Sequence, residues 1–212
     1  MNNIPKLGHK LFSPDGNIGE MANFAWGDTE IQFYGYITGY KEAADAVIQH
    51  AIEKGLGPTL DKCVFPACFL YRQYIELTLK DIYLSNSNDN KDEKMRTIKD
   101  CRHDLKKIWA KTKELILHDF PDEDIGILNA VEDYISQFVA EDVSSLVFRY
   151  PIKTDLDPVH SKGKSFNLLN LAVRMGELEN YLSSISFGMS ANRDTESEIL
   201  WYSYYNDMDC LD

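Results

Sequence analysis

Three charges stand in register along an otherwise apolar run. In Tyr71-Arg72-Gln73-Tyr74-Ile75-Glu76-Leu77-Thr78-Leu79-Lys80, the residues Arg72, Glu76 and Lys80 fall at i, i+4 and i+8, which stacks them on one side of a helix. On a solvent face such a ladder contributes roughly 0.2–0.5 kcal/mol per pair. On a central helix it must be satisfied internally, because an unpaired buried charge costs several kcal/mol. The plain reading is an ion-pair ladder joining two helices, and the functional one is a polar site. A second candidate is Arg102-His103-Asp104-Leu105. Histidine changes charge near neutrality, so His103 suits proton transfer, while Asp104 suits the cap of a following helix. The third is Arg149, between aromatics in Phe148-Arg149-Tyr150-Pro151. A cation there points to an internal acceptor, and Glu76 is the expected partner.

Other chemistries find no footing. There is no HExxH, paired-carboxylate, GxSxG or glycine-rich phosphate-loop motif. Nothing at ligand spacing asks for a metal, so neither metal nor cofactor is expected. His9 and His160 fall in loops, His50 on a helix and His118 near a helix C-terminus. Cys63, Cys68, Cys101 and Cys210 match neither a zinc knuckle nor a thioredoxin-type pair. The opening Met1-Asn2-Asn3-Ile4-Pro5 has no basic region ahead of an apolar run. Together these lead us to expect a reducing, cytoplasmic compartment.

The elements that must hold these residues read as helices. Residues 1–27 are rich in Gly, Asn and Pro and form an irregular arm, with Phe24 and Trp26 pinning its end. A first helix begins at Asp28-Thr29, capped by Asp28, and ends at Gly55, Gly57 and Pro58. A second, about 62–84, is apolar over most of its circumference and belongs at the centre, with Pro66 in its first turns. Residues 85–92 read as a loop, about 104–118 as a third helix, and 121–141 as a fourth. Ser145–Pro151 looks extended, since Pro151 disfavours helix before it. A fifth helix covers about 165–190. The acidic, aromatic tail 191–212 docks on the domain or on a partner, or forms a short strand. The 28–190 segment is thus one all-α bundle of about five helices.

With 212 residues, 44% of them hydrophobic, the chain can bury one sizeable core, which excludes disorder throughout. No run approaches the roughly 18 apolar residues of a membrane span. The net charge of −12 repels polyphosphates at long range, but the charge is uneven. Lys91–Lys113 holds nine Lys and Arg against four acids, and Met189–Asp212 one Arg against six acids. The basic strip is either a solvated helix face or a surface for an anion.

The block Gly39-Tyr40-Lys41-Glu42-Ala43-Ala44-Asp45, then Phe65-Pro66, Phe69-Leu70-Tyr71-Arg72-Gln73-Tyr74-Ile75-Glu76-Leu77, His103-Asp104-Leu105-Lys106-Lys107-Ile108-Trp109 and Phe148-Arg149-Tyr150-Pro151, resembles a group of bacterial HEPN-like proteins over about residues 30–185. The resemblance implies a HEPN-like helical bundle that commonly forms homodimers, often in prokaryotic defence, toxin–antitoxin or phage-conflict settings. Active members are metal-independent RNases. Their signature is an Arg, four to six residues, then a His near the start of one helix. The nearest fit is Arg96 to His103, with six residues between.

On that resemblance His103 is the acid/base. Arg72 and Arg149 hold the scissile phosphate of an RNA through paired N–H donors, and Glu76 and Asp104 orient them. Lys80, Arg96, Arg102 and Lys106 contact the substrate. The alternative is a non-catalytic interaction module that recognises a nucleotide or, through its acidic tail, a protein partner.

Overall fold

The structure, a computed structural model, describes residues 4–23, 27–142, 145–153, 155–159 and 163–209, with the backbone alone over 196–209. Phe24, Trp26, His160 and Cys210 lie outside the described residues. Six α-helices account for most of the chain: α1 (Thr29–Lys54), α2 (Gly57–Asn86), α3 (Lys91–Cys101), α4 (Leu105–Asp119), α5 (Ile125–Glu141) and α6 (Leu168–Asp209). A 3-10 turn at Ile18–Glu20 interrupts the arm, which is exposed from 4 to 23. Among the described residues no strand forms, and Ile152 and Pro158 make one isolated antiparallel bridge.

The helix ends follow local chemistry. Asp28 caps α1 by accepting from Ile31 N at 3.0 Å, satisfying one of the free donors of the first turn. Gly55 closes α1 at φ 61, a left-handed conformation that glycine adopts without the Cβ penalty. Asp104 caps α4 through Lys106 N and Lys107 N, and Asp124 caps α5 through Gly126 N.

Four expectations need correction. α2 starts at Gly57, five residues before the expected start, with Pro58 in its first turn, so Pro66 lies inside the helix and leaves the Lys62 carbonyl without an N–H four residues on. Residues 91–101 form a helix of their own, which makes six α-helices among the described residues. The segment 145–150 is a turn rather than extended, with Arg149 N and Tyr150 N both bonded to Leu146 O at 3.0 Å. Finally, α6 continues through the 190/191 boundary, and the backbone of 191–209 is helical.

α2 is the centre. Tyr71, Ile75 and Leu79 are fully buried, and Tyr74 and Ile82 nearly so. Around them close Ala44 and Ile48 of α1, Leu105, Ile108 and Trp109 of α4, Leu128 and Ile135 of α5, and Met175, Leu178 and Leu182 of α6. Each buried Leu or Ile contributes roughly 1.5–3 kcal/mol. Thr112 ties α4 to α2 by donating to Leu79 O at 3.2 Å.

One face of α2 meets α1 and α6 through a polar clamp. Lys41, 5% exposed, reaches Asp45 and Glu179 at 2.8 Å each, and Tyr71 donates to Asp45 at 2.5 Å. Burial lowers the Lys41 pKa, but the bonds to Asp45 and then Glu179 outweigh it and hold the ammonium charged. Further along, Arg193 donates to Ser85 O. Tyr71 to Ser85 and Glu179 to Arg193 are each fourteen residues apart, so α6 runs alongside α2 in the same direction.

Candidate functional site

The opposite face of α2 gathers a second, denser cluster. Arg72 is 2% exposed and Glu76 3%, at positions where the 3.6-residue period turns both toward the α3–α4 turn and the end of α5. The Arg72 guanidinium addresses three elements. One terminal nitrogen faces Glu76 Oε2 at 3.1 Å and the other donates to the His103 carbonyl at 2.7 Å. Its Nε lies 3.2 Å from Asp142 Oδ2, an ion pair off the line of a good hydrogen bond. The other oxygen of Glu76 receives Lys80 Nζ at 2.6 Å and faces His103 Nδ1 at 2.9 Å. Burial raises the Glu76 pKa, but Lys80 and then His103 outweigh it and hold the carboxyl below the usual range.

That charge state assigns the histidine. An ionised carboxylate only accepts, so Nδ1 of His103 carries the hydrogen that faces Glu76, and in the neutral ring the lone pair lies on Nε2. The His103 side chain is 65% exposed while its partner Glu76 is 4% exposed. The result is an outward-facing base whose ring is set by a buried carboxylate, the orienting half of a general acid/base pair.

The backbone carries strain at the same place. Arg102 has φ 46 and ψ −109, and Asp104 N donates to Cys101 O at 2.8 Å. These are the angles of the first central residue of a type II′ turn, a position dominated by glycine. An arginine there costs of order 1–3 kcal/mol, which the surroundings must offset. What holds the turn is visible: His103 is gripped by Arg72 at its carbonyl and by Glu76 at its ring.

Of the residues expected to form a site, Arg72, Glu76, Lys80 and His103 come together. Arg72 is too buried to meet a ligand directly, so it positions His103 rather than touching a phosphate. Asp104 turns to its capping duty. Arg149 does not pair with Glu76. Its Nε donates to Ser145 O at 2.8 Å, and its guanidinium lies 6.0 Å from the rings of Phe69 and Tyr150. Arg149 is nonetheless exposed, and Phe69 stands seven residues before Glu76, a rise of roughly 10 Å along α2. Arg96, Arg102 and Lys106 are exposed and take no part in the cluster. Arg96 lies inside α3 and His103 in the turn beyond it, so the pair does not share a helix.

Asp142 is the member that sequence reasoning missed. It is 1% exposed, pairs with Arg72, and accepts from Val147 N at 3.0 Å, so it ties the Arg149 turn to α2. A signal existed: an acid at a helix C-terminus opposes the dipole and calls for a cation. Among the described residues no three His, Cys, Asp or Glu side chains form a donor set for a metal, and no helix is long and apolar enough to cross a membrane. Compared with models of protein families, with curated proteins and with solved structures, the chain matches none.

Proposed function

We propose that this is a HEPN-like protein that acts as a homodimer on RNA in a defence or phage-conflict setting, with His103 as the general base. The observation that carries the reading is the exposed imidazole of His103, fixed by buried Glu76 and by a strained turn. The His103 ring is bonded to Glu76 through Nδ1, and the nucleophile is taken from the substrate. His103 Nε2 accepts the proton of a ribose 2′-hydroxyl as its oxygen bonds to phosphorus. The P–O5′ bond breaks and the 5′ oxygen takes a proton from water, leaving a 2′,3′-cyclic phosphate and a 5′-hydroxyl, and His103 returns its proton to the solvent. Lys80 and Arg149 supply the positive charge for the phosphates on either side.

Total RNA and tRNA incubated in EDTA with the wild type, His103→Ala and Glu76→Gln provide the test. Cleavage that survives EDTA and falls by about 10²–10⁴ in His103→Ala is expected, with a substrate lacking the 2′-hydroxyl left intact. Equal cleavage by wild type and His103→Ala rejects the assignment.

A second reading, a non-catalytic interaction module, is favoured by α6. Among the residues whose side chains are described, the last buried one in α6 is Met189, and the helix backbone runs on to Asp209 through a segment with six acids and one Arg from Met189 to Asp212. Capture of a partner that is lost on deletion of residues 196–212, without RNA cleavage by the full chain, selects it.

A further inference from the structure

Asp142 uses its two oxygens on two different elements. Oδ1 accepts from Val147 N at 3.0 Å, and Oδ2 lies 3.2 Å from Arg72 Nε. The first contact holds the turn at 146–150, where Leu146 O takes both Arg149 N and Tyr150 N and Arg149 Nε donates to Ser145 O. The second acts on Arg72, whose terminal nitrogens face Glu76 and donate to the His103 carbonyl. The Asp142 side chain is 1% exposed, so it touches no ligand itself.

Only one of these duties needs a charge. A neutral Asn or Ser side chain accepts a backbone N–H of a nearby turn as readily. A carboxylate at the C-terminal end of α5 also opposes the helix dipole, and a buried charge without a partner costs several kcal/mol. The negative charge at this position is accounted for by Arg72, which lies buried between α2, the end of α5 and the α3–α4 turn. Exposed His103 and exposed Arg149 are thereby joined through one buried carboxylate. We propose that Asp142 is a positioning residue that sets His103 and Arg149 in a fixed relation. Its charge acts on His103 through Arg72, and its other oxygen acts on Arg149 through Val147. The purpose rests on the reading above: the base and a phosphate-binding cation must reach one RNA strand together.

Two substitutions separate the duties. In Asp142→Asn the amide oxygen stays on Val147 N, and the NH₂ turns a donor toward the Arg72 guanidinium, which has only donors. In Val147→Pro the carboxylate stays and its N–H partner is gone, and proline suits the second position of the 146–149 turn. Long-range ¹H–¹⁵N spectra of the neutral His103 ring and hydrogen exchange at Arg149 Nε report the two positions without substrate. Asp142→Asn is expected to replace the Nδ1–H signature by a mixture of tautomers and to leave Arg149 exchange as in the wild type. Val147→Pro is expected to speed that exchange and leave the ring alone. On RNA, Asp142→Asn lowers kcat by roughly 10–100-fold at similar KM. Val147→Pro raises KM by roughly tenfold, about the worth of one charge-assisted hydrogen bond. A wild type that cleaves no RNA rejects the function above, and the two spectra still decide the role of Asp142. The proposal is overturned if Asp142→Asn keeps the wild-type ring signature, or if Val147→Pro disturbs the ring or spares Arg149. The Val147→Pro outcome decides even where Asp142→Asn does not fold.

Discussion

Replacing Glu76 by Gln keeps the shape of the side chain and removes the charge that Arg72, Lys80 and His103 all face. Arg72, at 2% exposure, then keeps Asp142 as its carboxylate partner, beside the neutral His103 carbonyl. Breaking a buried pair by removing one partner costs about 3–5 kcal/mol, and urea unfolding of Glu76→Gln is expected to show a loss of that order. The pH dependence has a definite sign. The folded carboxyl sits below its ordinary value of 4.5, so the native state favours the ionised form. Its contribution is complete above 4.5 and fades as the pH falls through the lower folded value. The urea midpoint of the wild type therefore drops in acid, and that of Glu76→Gln drops less. Parallel curves for the two proteins refute this role for Glu76. Arg72→Ala separates positioning from contact: because Arg72 acts through the His103 carbonyl, the variant lowers kcat more than it raises KM, whereas loss of a substrate contact raises KM.

The α3–α4 turn makes its own prediction. Glycine at position 102 relieves strain of order 1–3 kcal/mol and costs roughly 0.5–1 kcal/mol in unfolded-chain entropy. Arg102→Gly is thus expected to raise stability by about 1 kcal/mol, read as a higher urea midpoint at unchanged slope. A fall in stability means that the arginine side chain makes a contact worth more than the strain. This element also shows what a sequence displays and what it hides. The Arg72–Glu76–Lys80 ladder was legible because period alone stacks it, and Asp28 and Asp104 were legible as caps. α3 was missed because its only apolar residues are Met95, Ile98 and Cys101, too few for a stripe. Its true signal is the capping box, Asn90 accepting from Glu93 N while Glu93 accepts from Asn90 N. The positive φ of Arg102 leaves no trace in a sequence without glycine there, because tertiary contacts at His103 impose it. The partner of Arg149 was misjudged because the turn at 147–149 depends on Asp142, a contact distant from α2 in the chain.

At the scale of the whole molecule the charges oppose one another. The net charge of −12 works against RNA at long range, while the strip at 91–113 attracts it locally. Deleting residues 196–212 removes Glu196, Glu198, Asp207, Asp209 and Asp212, which moves the net charge to −7. Among the α6 residues whose side chains are described, the last buried one is Met189 and the clamp to α2 lies at Arg193, both kept, and the shortened chain is expected to unfold at the same urea concentration as the full one. Its affinity for single-stranded RNA then discriminates between the two functions. If RNA is the ligand, removing five negative charges tightens binding at low salt, and the gain shrinks as salt screens it. The slope of log affinity against log salt reports the phosphates engaged, at about −0.7 for each. Lys80 and Arg149 alone correspond to a slope of roughly −1.4, and a third cation at Lys106 to roughly −2. If the tail instead docks on a partner protein, deletion leaves RNA binding absent at every salt concentration and abolishes capture of the partner. Tighter RNA binding without the tail favours an RNA-acting protein whose acidic extension restrains it, and loss of partner capture favours the interaction module.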